Sequence, residues 1–186
     1  MARVDPARAA YLKALSLENC HTGFQFRAGD AANFAIGQGD VAVTPVQLAS
    51  AYAAIANGGT LWTPQVAASF ATPDGTPVRT IEPVALGQVG LGSSMVAFLH
   101  SALQGVVTGG TARAAFSGFP LASYPVAGKT GTAEVFGKQS TSWFASYAPA
   151  NRPRYAVVVV VSQAGTGAET SAPAVRQIYD AIRLQP

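Results

Sequence analysis

Val126-Ala127-Gly128-Lys129-Thr130-Gly131-Thr132-Ala133-Glu134 is the stretch on which the reading of this chain turns. Glycine-lysine-threonine occurs in two unrelated settings. A phosphate-binding loop needs a glycine, four residues, then glycine-lysine-threonine, and it ends in a helix whose N-terminus faces the phosphates. Counting back puts Ser123 where the first glycine belongs, with Pro125 inside the loop and Gly131 where the helix should begin. Nucleotide binding by Gly128, Lys129 and Thr130 is therefore the weakest reading. The alternative is extended chain, because the stretch sits inside a strand-like run from Tyr124 to Val135.

Two more such runs follow, Thr141 to Ala148 and Arg154 to Ser162. Their links, Phe136 to Ser140 and Pro149 to Pro153, are too short for a parallel crossover, which takes about a dozen residues or more. The three strands are expected to be antiparallel neighbours. The valines from Val157 to Val161 predict a strand buried on both faces. After the glycine-rich Gly165-Thr166-Gly167, Ser171 and Pro173 open a helix whose Val175, Ile178, Tyr179 and Ile182 form one apolar face.

Upstream of the central stretch, a helix is expected from about Met95 to Val107. Val96, Leu99, Leu103 and Val106 make its apolar stripe, Ser93 or Ser94 caps it, and His100 falls on the solvated side. Gln65 to Phe70 and Val78 to Ile81 predict a surface hairpin around Asp74-Gly75. Thr44-Pro45-Val46-Gln47 reads as a capping box that starts a helix running to about Ala56, stopped by Asn57-Gly58-Gly59. A bend at Ile36-Gly37-Gln38-Gly39-Asp40 precedes it. Residues 1–33 hold one expected helix, with Asp5 as cap and Pro6 at its first position. Helices and an antiparallel sheet together imply an α+β architecture with the sheet packed against helices.

Taken in order, the punctuation of this chain carries a resemblance. Gly37-Gln38-Gly39, Val43-Thr44-Pro45-Val46-Gln47-Leu48, Tyr52, Ala56-Asn57-Gly58-Gly59 and Pro64 come first. Gly110-Thr111-Ala112, the lysine-threonine-glycine stretch, Ser142-Trp143-Phe144 and Tyr147-Ala148-Pro149 follow. Order and spacing resemble the penicillin-binding protein transpeptidase domain, most of all its monofunctional class B type. The likeness runs from about Ile36 to Arg183 and covers its C-terminal part, with the fold of the penicillin-recognising serine transpeptidases and β-lactamases.

The resemblance implies a peptidoglycan D,D-transpeptidase, which cross-links stem peptides through a serine acyl-enzyme and is acylated by β-lactams. It implies catalytic roles for Lys129 and Thr132, and substrate binding by Thr130, Gly131 and Thr132. Lys129 would hold a cation at the cleft for the carboxylate of a peptide terminus or a β-lactam. Thr130 and Thr132 would supply hydroxyls to that carboxylate. Gly131 would let an extended substrate lie along the strand edge, and the Thr132 amide would be one of two oxyanion-hole donors. Trp143 and Phe144 point to opposite faces of their strand, one core and one bordering the cleft.

Two motifs of that family are missing from these residues. Lys13, Lys129 and Lys138 follow Ala10, Val126 and Val135 at the serine-x-x-lysine spacing. Asn19, Asn33, Asn57 and Asn151 follow Leu17, Ala31, Ile55 and Pro149 at the serine-x-asparagine spacing. No serine lies between glycines as in a hydrolase elbow, and His21 and His100 are the only histidines for a triad. The expectation is half of a site. Residues 1–186 form a single partial domain, with 1–35 an unmatched N-terminal segment and 36–186 the C-terminal part of the transpeptidase domain. The remainder of that domain is its expected partner, and the chain alone is expected to be inactive. A non-catalytic binding module on the same scaffold is the alternative.

Composition agrees with an incomplete unit. Only 11% of residues are charged against 49% apolar, where a soluble domain carries roughly 25% charged residues. The surplus apolar surface suits a face that a missing half would cover. The net charge of +3 is scattered, which argues against nucleic acid. No apolar run approaches the roughly 20 residues of a membrane span, and no export signal is read at the start. An envelope location on the outer face of the cytoplasmic membrane is implied by the resemblance only. Cys20 is the sole cysteine, so no internal disulfide forms. No metal or cofactor is expected.

Overall fold

The computed structural model describes residues 5–23, 25–39, 41–135 and 137–185. Residues 1–4, Asp40 of the expected bend and Phe136 of the first sheet link lie outside them. The chain divides into two compact units, Met1–Val41 and Ala42–Pro186.

In the first unit, helix α1 (Pro6–Thr22) starts as expected, with the Asp5 carboxylate accepting the Ala7 N–H at 3.0 Å. A second helix, α2 (Ala28–Ala35), follows that the sequence pattern does not announce. Gly29 in its first turn lowers helix propensity. The Asp30 carboxylate compensates by accepting the Arg27 N–H at 2.8 Å. Gly37 then turns the chain with φ of +75°, a conformation that favours glycine.

The second unit opens with α3 (Pro45–Ala56), whose capping box is formed as read. The Gln47 N–H donates to Thr44 Oγ1 at 3.2 Å, and Gln47 Oε1 accepts the Thr44 N–H at 2.8 Å. Gly58 and Gly59, with φ of +87° and +117°, end it. Strand β1 (Thr60–Trp62) follows, then the hairpin β2 (Ser69–Ala71) and β3 (Pro77–Thr80). The hairpin strands are shorter than expected, since residues 65–68 stay irregular. Strand β4 (Ala85–Gln88), absent from the sequence reading, pairs with β1. Helix α4 (Ser93–Thr108) is capped by Gly92, so Ser93 and Ser94 lie inside its first turn rather than before it.

Strands β5 (Ala127–Ala133), β6 (Thr141–Ala148) and β7 (Tyr155–Val161) form the antiparallel sheet in the order β5-β6-β7. One π-type turn (Gly167–Ser171) leads into α5 (Ala172–Ile182). Phe144, Val126, Val107, Val175 and Tyr179 pack into one core on the α5 face of the sheet. Ala127 and Tyr147 pack with Tyr52, Ile55 and Leu103 on the α3 and α4 face.

Three expectations are corrected by these layers. The valine strand β7 is half-buried along its length, because it is an outer strand rather than a central one. His100 is not solvated: its Nε2 lies 3.1 Å from Ile55 O and its ring meets Tyr147 edge-on. Ile178 is 37% exposed, while Val175 and Tyr179 are fully buried. Among the described residues no helix is long and apolar enough to cross a membrane.

The α3 face has a pH consequence. Burial pushes the phenols of Tyr52 and Tyr147 from the ordinary 10.0 up to about 12. Both therefore hold their protons longer folded than unfolded. The stability tied to the neutral phenols is intact below pH of about 10 and is lost as pH rises toward about 12. The urea midpoint is expected to fall across that window, less steeply in Tyr52→Phe. An identical alkaline slope in the variant would exclude Tyr52 as a source.

Candidate active site

The lysine-threonine-glycine stretch lies in the middle of β5, an outer strand, and not in a loop before a helix. That placement removes the phosphate-loop reading, since no helix N-terminus meets Gly128-Lys129-Thr130. Pairing with β6 fixes the faces. Gly128, Thr130 and Thr132 stand opposite Ser146, Phe144 and Ser142, whereas Lys129 and Gly131 stand opposite Ala145 and Trp143. Residues opposite each other share a face.

The first set faces α5 and the π-type turn. Ser146 Oγ is 2.9 Å from the Tyr179 hydroxyl, and Ser142 Oγ is 2.7 Å from Ser171 Oγ. Lys129 lies on the other face with Trp143, which is half-buried beside it, while Phe144 is fully buried core. The two faces are joined at the open edge of β5. Lys129 Nζ donates to Thr130 O at 2.8 Å and stands 3.4 Å from Thr130 Oγ1. An ammonium and a hydroxyl from opposite faces are thus brought together along the outer strand.

Each threonine is backed by a group distant in sequence. Thr130 Oγ1 lies 2.7 Å from Thr111 Oγ1, in the turn just beyond α4. Thr132 Oγ1 accepts the Gly167 N–H at 3.4 Å. The loop holding Gly167 is pinned by Ser142, whose hydroxyl donates to Thr166 O at 2.9 Å and accepts the Ser171 N–H at 3.1 Å. Neither Thr111 nor Gly167 was legible as a site residue, although both sit in stretches that the spacing singles out. Gly131 leaves little room for a side chain, since a Cβ there would stand 3.0 Å from Trp143 Cβ.

Lys129 is exposed and Thr130 and Gly131 are half-buried, so cation, hydroxyls and strand edge are all reachable by a ligand. This set can bind a carboxylate by charge-assisted hydrogen bonds and can align an extended peptide. Among the described residues no group of three or more histidine, cysteine, aspartate or glutamate side chains is arranged to hold a metal ion. Cys20 is exposed on α1, outside this unit.

Comparisons with known proteins converge on one family. The model of the penicillin binding protein transpeptidase domain matches residues 10–180. The peptidoglycan D,D-transpeptidase MrdA of Haemophilus influenzae is 32% identical over 172 residues, which cover 82% of this chain and 25% of that protein. Stage V sporulation protein D of Bacillus subtilis is 37% identical over 180 residues, covering 88% and 27%. This chain thus spans about a quarter of the length of these relatives.

Solved structures agree. Pseudomonas aeruginosa PBP2 in complex with WCK 5153 superposes with a TM-score of 0.70 at 32% identity, covering 91% of this chain and 36% of that one. Penicillin-binding protein A of Mycobacterium tuberculosis, as an imipenem acyl-enzyme complex, gives 0.70 at 28%, covering 84% and 34%. The α+β arrangement of helices on an antiparallel sheet is that of these domains. The chain belongs to the penicillin binding protein transpeptidase domain family.

Proposed function

We propose that this chain supplies the carboxylate-recognising half of a peptidoglycan D,D-transpeptidase site, which takes a stem peptide or a β-lactam. Lys129 and Thr132 carry catalytic roles, and Thr130, Gly131 and Thr132 bind the substrate. The single observation that carries the reading is the Lys129 ammonium folded over the open edge of β5 onto Thr130 O and Oγ1. A cation and hydroxyl donors along an unpaired strand edge suit a peptide that ends in a carboxylate.

In this reading the substrate lies along β5 as an added strand, its terminal carboxylate on Lys129 and the threonine hydroxyls. The carbonyl one residue before that terminus then faces the Thr132 N–H. A serine attacks that carbonyl and the oxyanion is held by the amide; as it collapses the peptide bond to the terminal residue breaks, the serine proton passes to the departing amine, and an acyl-enzyme remains. The serine comes from residues other than these 186, which hold neither serine-x-x-lysine nor serine-x-asparagine. Residues 36–186 act as the C-terminal part of the domain, and its remainder packs on the apolar helix faces, which include exposed Val46, Met95 and Phe98. The relatives named for peptidoglycan synthesis and sporulation support action at the cell envelope.

Fluorescent penicillin labelling followed by denaturing electrophoresis tests the proposal. The intact protein is expected to give a covalent band, and the 186-residue chain alone is expected to give none. An unlabelled intact protein would favour the non-catalytic binding module. A band on the chain alone would place the nucleophile among its own serines and overturn the division of labour.

A further inference from the structure

The geometry points to Thr111 as a positioning residue that sets the direction of the Thr130 hydroxyl proton, and so sharpens the preference of the site for a carboxylate. The inference rests on the carboxylate reading of β5 given above. Thr111 Oγ1 and Thr130 Oγ1 are 2.7 Å apart, a strong hydroxyl-to-hydroxyl distance between residues 19 apart in sequence.

Proton counting gives the pair its meaning. The Lys129 ammonium can only donate, and it already stands 2.8 Å from Thr130 O and 3.4 Å from Thr130 Oγ1. A threonine hydroxyl has one proton and two lone pairs. If Thr111 donates to Thr130, both lone pairs of Thr130 face donors, and its own proton is left for a third partner. If Thr130 donates to Thr111 instead, it presents only its remaining lone pair to an incoming carboxylate, which offers only lone pairs of its own. An arriving carboxylate therefore selects the first arrangement, and Thr111 holds it there. A neutral amide terminus, with donors as well as an acceptor, gains less from that choice.

Thr111 is placed for this task by its neighbours. The Gly110 N–H donates to Gly105 O at 2.9 Å and the Ala112 N–H to Val106 O at 3.0 Å, so the chain is tied to α4 on both sides of Thr111. Ala112 is fully buried, and a Cβ at Gly110 would come within 2.8 Å of Val106 Cα. Only Thr111 of the three is exposed with a side chain that reaches β5.

The test is a binding titration of the intact protein with acetyl-D-alanyl-D-alanine and with its C-terminal amide, followed by NMR. The quantity read is the ratio of the two dissociation constants. Thr111→Val, which keeps the shape and removes the hydroxyl, is expected to cut the preference for the acid by about tenfold, the scale of one hydrogen bond to a charged group. Binding of the amide should stay within about twofold, and Thr111→Ser should restore the preference. Thr130→Val should show a similar loss, and adding Thr111→Val to it should cost little more. Thr111→Ala is the second variant should valine disturb packing.

Equal losses for acid and amide in Thr111→Val and Thr111→Ala would assign Thr111 a merely structural role and overturn the inference. An unchanged preference in these variants would overturn it as well, while leaving the carboxylate reading in place. A wild-type protein that does not prefer the acid would remove the carboxylate reading, and the inference with it.

Discussion

Replacing Lys129 by alanine is expected to slow acylation of the intact protein by a carboxylate-bearing penicillin by about 100-fold or more, the scale of losing one preorganised charged group at a reacting centre. The expectation rests on where the ammonium sits. It reaches from one face of β5 across the outer edge to Thr130, so the cation and the hydroxyl act on the same point in space. Because Lys129 is exposed, its removal leaves no cavity, and the melting temperature should barely move. The loss should shrink for the methyl ester of the same penicillin, which has no carboxylate to hold. Lys129→Arg should recover only part of the rate, since a planar guanidinium does not place a point charge on a single hydroxyl. Acylation at the wild-type rate in Lys129→Ala would reduce Lys129 to a solvated surface charge and remove the central element of the proposed site.

How much of this was readable in the sequence depends on how local each cause is. The capping box at Thr44 and the Asp5 cap are short-range devices, and the structure builds both as the residues dictate. The β5-β6-β7 order follows from two links too short to cross over. What failed depended on neighbours remote in sequence. A run of valines cannot report whether its strand is central or outer, and β7 is outer. Helical periodicity gave α4 one apolar stripe, but α4 is flanked by α3 as well as the sheet, so His100 is drawn onto Ile55 O. Strands β1 and β4 are each too short to show a period, and they pair across more than 20 residues of chain. The site divides the same way. Lys129, Thr130, Gly131 and Thr132 are contiguous and could be singled out together, whereas Thr111 and Gly167 join them only through the fold, 19 and 35 residues away from the threonines they back.

Gly167 supplies the sharpest test of that long-range support. A Cβ built on it would lie 2.3 Å from Trp143 O, 2.5 Å from Gly131 O and 2.8 Å from Gly131 N. All three are backbone atoms of the sheet, so no side chain can move aside. The loop itself must lift. Lifting it stretches the bonds that pin it, Ser142 Oγ to Thr166 O at 2.9 Å and the Ser171 N–H to Ser142 Oγ at 3.1 Å, and withdraws the Gly167 N–H from Thr132. Gly167→Ala is therefore expected to destabilise the fold by about 3 kcal/mol, the upper part of the range for overpacking a close-packed site. Gly105→Ala is the matched control. It lies in the interior of α4 with nothing within 4 Å of its added Cβ, and it should gain about 0.5–1 kcal/mol from helix propensity. Urea unfolding of the two variants measures the opposite signs directly. A Gly167→Ala protein that unfolds at the wild-type urea midpoint would mean that the loop is not seated on β5 and β6. In that case the Gly167 N–H would not back the Thr132 hydroxyl, and Thr111 behind Thr130 would be the long-range support left to the site.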